Sequence, residues 1–110
     1  MPTVFKNVLS SGLDIAPTTV FTTQAGVKTT VVGLSLTNTT GSIVLASILL
    51  NDTATSTQAY YIQNTVIPPN QSLRVVNNGE RLVLGELTQI IISTNVDNSI
   101  DMVLSYVEIS

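Results

Sequence analysis

The 110-residue chain has no cysteine and no histidine. Without cysteine there is no disulfide framework, no thiol nucleophile and no thiolate metal site. Without histidine it lacks the commonest general base near neutral pH and the commonest ligand for transition metals. Tryptophan is absent and aromatic residues make up only 5%, so stacking platforms for bases or sugars are scarce. Charge is sparse as well: 10% of residues carry it, against roughly 25% in an average globular domain. The four basic residues, Lys6, Lys28, Arg74 and Arg81, are scattered, and the net charge is −3. A nucleic-acid groove needs clustered cations to release condensed counterions, so no nucleic-acid partner is expected. No apolar run approaches the roughly 20 residues of a membrane-spanning helix. Residues 1–11 also lack the long apolar stretch and cleavage site of a secretory signal. The expectation is a single domain made in the cytoplasm, with no membrane partner and a surface unusually poor in charge.

What is abundant is threonine, serine, asparagine, valine and isoleucine, and this residue choice favours strands. Breakers recur about every ten residues. Strands are predicted over residues 3–9, 18–23, 29–39, 43–51, 58–67, 72–76, 81–84, 88–94 and 99–109. Turns are predicted at Gln24-Ala25-Gly26, Thr39-Thr40-Gly41, Asn51-Asp52-Thr53, Pro68-Pro69-Asn70, Asn77-Asn78-Gly79 and Asp97-Asn98. Asparagine and glycine tolerate positive φ, and proline at a strand end halts the ladder. No segment has a helical period. About eight or nine short antiparallel strands predict an all-β fold, either a β-sandwich or a jelly-roll-like barrel.

Alternation is clearest in the third strand, where Thr30, Val32, Leu34 and Leu36 are expected on the core face. The fourth behaves differently. Ile43, Leu45 and Leu49 fall on one face and Val44, Ala46, Ile48 and Leu50 on the other, so both faces are apolar. A two-layer sandwich has one core, so the second face is covered either by a loop or the N-terminal segment, or by another subunit. Ile90-Ile91-Ile92 and residues 102–106 raise the same question. On the subunit reading, Ile43, Leu45, Leu49 and Tyr60 are the candidate interface residues.

The chemistry-bearing residues select no active site. The acidic residues are Asp14, Asp52, Glu80, Glu86, Asp97, Asp101 and Glu108, and most fall in expected turns. No spacing singles out a carboxylate pair for glycoside hydrolysis. Asp97-Asn98 with Asp101 has oxygen donors for Ca²⁺ but lacks the dense acidic loop of a specific site. Asn38, Asn51 and Asn70 open glycosylation sequons, which carry little weight without a secretory signal. Tyr60 and Tyr61 point to opposite faces of one strand, so at most one could stack on a sugar. There is no phosphate loop and no nucleophile beside a base. The expectation is a protein that is not an enzyme, with no catalytic, metal or cofactor residues.

The order of segments along the chain carries a resemblance. Thr18-Thr19-Val20-Phe21-Thr22-Thr23 leads to Ala25-Gly26-Val27-Lys28, then to a strand ending in Asn38-Thr39-Thr40. Ile67-Pro68-Pro69-Asn70-Gln71-Ser72-Leu73, Leu82-Val83-Leu84 and a closing strand follow. From residue 18 onward this resembles small virion structural proteins of tailed bacteriophages, of the cyanophage and marine-phage type. Two features depart from that pattern: Gly85-Glu86-Leu87 replaces its acidic-Gly-Asp turn, and residues 1–16 lie outside it. Those sixteen are either the first strand or an arm added to a neighbour's sheet, beside a core at 17–110. The resemblance implies a virion location and a capsid decoration (cement) protein, or a tail, neck or fibre component. The implied partners are copies of itself, a trimer above all, and the major capsid protein or other virion proteins. From another class, a carbohydrate-binding module for host adsorption would use Tyr60 or Tyr61.

Overall fold

The computed structural model describes residues 3–76 and 81–109. Nine strands run through them: β1 (Thr3–Leu13), β2 (Thr18–Thr22), β3 (Lys28–Asn38), β4 (Val44–Asp52), β5 (Thr57–Ile67), β6 (Ser72–Val76), β7 (Leu82–Leu84), β8 (Thr88–Thr94) and β9 (Ile100–Ile109). Each corresponds to a segment predicted from residue choice and breakers. The expected turn at Asn77-Asn78-Gly79, and Glu80 beside it, lie outside the described residues. At Asn51-Asp52-Thr53 the ladder runs further than expected. Asn51 and Asp52 still pair with Gln58 and Thr57, and the turn itself is residues 53–56.

All pairings are antiparallel. One sheet has the order β1-β9-β3-β6, with β7 also on β3, and the other the order β2-β8-β4-β5. Setting aside the three-residue β7, the chain is doubled back like one long hairpin. β4 pairs β5, β3 pairs β6, β2 pairs β8 and β1 pairs β9, and successive pairs fall in alternate sheets. That wrapped double ribbon is a jelly roll, the fold that closes an antiparallel ribbon over one core.

The core is the layer between the sheets. Val31, Leu34 and Leu36 of β3 and Leu104 of β9 meet Ile48 of β4 and Ile92 of β8, all at 2% exposure or less. Phe21 and Tyr106 meet across the sheets with ring centroids 4.5 Å apart and planes tilted by 46°. Alternation in β3 differs from expectation at one point. Val31 pairs Tyr106 and Gly33 pairs Ser105, leaving Val32 as the extra residue of a bulge. Before the bulge the buried residues are therefore Thr29 and Val31, with Val32 exposed; after it they are Leu34, Leu36 and Asn38. An inserted residue reverses the parity of everything on one side of it.

β1 also exceeds its expected end at residue 9. A register shift between Ser10 and Leu13 is accommodated by Gly12 at φ 65°, and Leu13 returns to the ladder buried opposite Ile100. Residues 3–13 thus form the outer strand of this chain's own sheet, paired to β9.

Candidate functional site

Five of the acidic side chains accept hydrogen bonds from the backbone. Asp14 accepts the Asn98 N–H at 2.7 Å and Asp101 the Gly12 N–H at 3.1 Å. Asp97 accepts from Ile15 N–H at 3.4 Å. Together these close the end of the sandwich where β1 bulges. Asp52 accepts the Ala54 N–H at 3.0 Å within its own turn, and Glu86 accepts the Gly26 N–H at 2.5 Å, tethering the β2–β3 turn. Among the described residues no three of Asp, Glu, His or Cys come together. The oxygens considered for Ca²⁺, on Asp97 and Asp101, are each directed at a backbone amide of the β1 end.

Glu108 faces inward at the other end of β9 and is 9% exposed. Lys6 on β1 reaches it at 2.9 Å. The hydrogen bond and charge of Glu108 raise the Lys6 pKa above the ordinary 10.5. Thr29, directly opposite Glu108 on β3, is fully buried, and its Oγ1 has no hydrogen-bond partner among the described residues.

The outward faces of the two sheets hold the rest of the story. On the four-stranded sheet, Leu49 sits opposite Tyr60 on one side and Ile91 on the other, and Leu45 sits opposite Val66. Tyr60 and Val66 are each 53% exposed, while Leu45 and Leu49 are half-buried. Ile43, just ahead of β4, is 58% exposed. Leu45, Leu49 and Tyr60 therefore share one outward face, with Ile43 exposed ahead of the ladder. That face is interrupted in the middle by Ser47, whose Oγ accepts the Asn64 N–H at 2.9 Å. Tyr61 instead packs half-buried against the core, as the extra residue where the register shifts between Tyr60 and Ile62, so the tyrosine pair is divided between environments.

A second apolar face lies on the five-stranded sheet. Register places Phe5, Val107, Thr30 and Val83 in one row across β1, β9, β3 and β7. Phe5 is 78% exposed and Val83 68%. Exposed Val32 and Ile109 flank that row and line a shallow depression with Phe5, Thr30, Val107 and the charged Arg81. Further along, Leu9 at 70% exposure sits opposite exposed Val103. Sequence reasoning flagged residues 102–106 as apolar on both sides but missed Phe5, Leu9 and Val83. Phe5 and Leu9 share a parity opposite to Val4 and Val8 within one short strand, which was the available signal. Val83 could be joined to them only through pairing over large sequence distances.

No protein-family model matches the chain, and no curated protein matches it in sequence. Among solved structures, the chain is similar to the cryo-EM structure of the virus-like particle of the giant freshwater prawn Macrobrachium rosenbergii extra small virus. The match covers 98% of this chain and 79% of that one, at 11% identity and a TM-score of 0.46, a value too low to assign a shared fold.

Proposed function

We propose that this chain is a non-catalytic structural protein of a virion, and within that class a capsid decoration protein that cements its shell. The observation that carries the reading is the pair of outward apolar faces, Phe5 with Val83 on one sheet and Leu49 with Tyr60 on the other. An antiparallel sandwich ordinarily solvates its outer faces with polar and charged residues. Contiguous apolar surface instead marks contact with another protein. The absence of histidine and cysteine from the sequence supports the non-catalytic reading.

Jelly rolls serve in viral capsids and in lectins, and a fold by itself does not choose between them. The segment order that resembles tailed-phage virion proteins favours a virion component over a lectin. The mechanism is mechanical: area buried between the decoration protein and the capsid protein stabilises the assembled lattice by mass action. The same surface serves a tail, neck or fibre component equally well. The glycan-binding alternative is favoured by one observation, the exposed ring of Tyr60 on an open face.

Co-sedimentation of the purified chain with undecorated shells tests the proposal. Saturable binding at a fixed ratio to capsid protein is expected, with loss on Leu49→Lys or Phe5→Lys. Failure of the wild-type chain to bind, together with saccharide binding abolished by Tyr60→Ala, contradicts it.

A further inference from the structure

The two sheets leave four edge regions. Strands β6 and β7 are five and three residues long, and β2 is five residues with a register shift. β5 is long, but its ladder is broken twice opposite β4 and Asn64 is left-handed at φ 49°. β1 differs from all of these. From Thr3 to Ser10 it pairs residue for residue with β9 without a break, and no strand among the described residues pairs its other side. Long regular edges expose a row of unpaired N–H and C=O groups, and proteins that must stay monomeric blunt them with charge, proline or bulges. The only charged side chain on β1 is Lys6, and Glu108 of the same sandwich compensates it at 2.9 Å.

We propose that β1 pairs antiparallel with β1 of a second copy about a two-fold axis at Asn7, joining the two five-stranded sheets into one continuous sheet. The inference rests on the assembly role proposed above, though not on the trimer that the sequence resemblance implies. The register follows from the side chains. With Asn7 opposite itself, Phe5 of each copy meets Leu9 of the other, so the two most exposed large apolar residues of the strand cover each other twice. On the inner face Lys6 then meets Val8. Centring the axis on Lys6 sets two like charges opposite each other, which is destabilising. Centring it on Val8 leaves Phe5 facing Ser11. A symmetric contact of this kind is closed, using the same residues on both copies. It extends the Phe5–Val107–Thr30–Val83 row across both subunits, doubling the apolar surface available to a shell.

The chain has no cysteine, so Asn7→Cys places a single thiol on the proposed axis, opposite its own copy. Light scattering of the full wild-type chain is expected to show twice the monomer mass. Air oxidation of Asn7→Cys is expected to give a covalent dimer, while Gln63→Cys on the β5 edge stays unlinked. Phe5→Lys with Leu9→Lys opposes like charges twice and is expected to weaken the dimer about tenfold or more. Phe5→Lys with Leu9→Glu places opposite charges across the same seam and restores it. If Phe5→Lys/Leu9→Lys loses its strand spectrum, the Asn7→Cys result alone decides. An oligomer that forms without cross-linking at Asn7, or cross-links at Gln63 instead, overturns the β1 contact and leaves the assembly role standing. A monomer at every concentration overturns the contact, and shell co-sedimentation then judges the assembly role separately.

Discussion

Five hydrogen bonds converge on the fully buried side chain of Asn38. Its amide donates to the carbonyls of Ser42, Ile67 and Pro68, and its Oδ1 accepts from the N–H and hydroxyl of Thr40. One residue thus pins the β3–β4 turn to the exit of β5. Read as sequence, Asn38 was the opening residue of a sequon, and its burial was invisible there because it depends on two chain segments meeting. Removing it strands the buried Ile67 carbonyl, at a cost of about 1–3 kcal/mol, and frees the two turns that Ser42, Pro68 and Thr40 tie to it. Asn38→Ala is expected to lose about 3 kcal/mol or more in urea denaturation, and Asn38→Asp to be no better, since a carboxylate cannot donate to those carbonyls.

Lys6 offers a pH test at the same scale. Because Glu108 raises its folded pKa above the ordinary 10.5, the pair stabilises the fold below that value. The contribution is lost as pH rises through the folded pKa. The melting temperature of the wild type is expected to exceed that of Lys6→Met from neutral pH to about pH 10, with the gap closing above about 10.5. A gap that persists at higher pH assigns the effect to packing of the lysine stem instead.

At the scale of elements, β4 shows what a strand apolar on both faces means. Ile48 is fully buried between the sheets, whereas its neighbour Leu49 points outward beside Tyr60 and Ile91. Ile48→Ala is expected to cost about 2–5 kcal/mol of stability through the cavity it leaves. Leu49→Ala, half-exposed, is expected to cost under about 1.5 kcal/mol and to impair shell binding. Equal losses of stability at both sites would place Leu49 in a core rather than on an interface.

The strands were legible because β-branched runs are separated by Gly, Pro and Asn, signals that act locally. The bulge at Val32 was not, because an added residue in a run of threonines and valines leaves no local mark. It shifted the buried set from Thr30 and Val32 to Thr29 and Val31. The candidates Ile43, Leu45, Leu49 and Tyr60 were found because two neighbouring strands carry them. Phe5 and Val83 needed four strands in the right order.

For the whole molecule, the order β1-β9-β3-β6 over β2-β8-β4-β5 turns scattered apolar residues into two outward faces. The face around Phe5 and Val83 does not exist until residues about 100 positions apart are paired, as Phe5 is with Val107. Charge is too sparse to solvate them, which links a composition of 10% charged residues to a molecule suited to packing against others. The N-terminal strand, at the rim of the five-stranded sheet, is where the proposed seam between copies lies.

A cryo-EM reconstruction of virus particles carrying the chain tests this most directly. If the chain is a shell component, it occupies regular positions on the capsid with at least one outer face, around Phe5 and Val83 or around Leu49 and Tyr60, covered by a neighbour. Particles without the chain, or with both faces open to solvent at every position, would contradict that role.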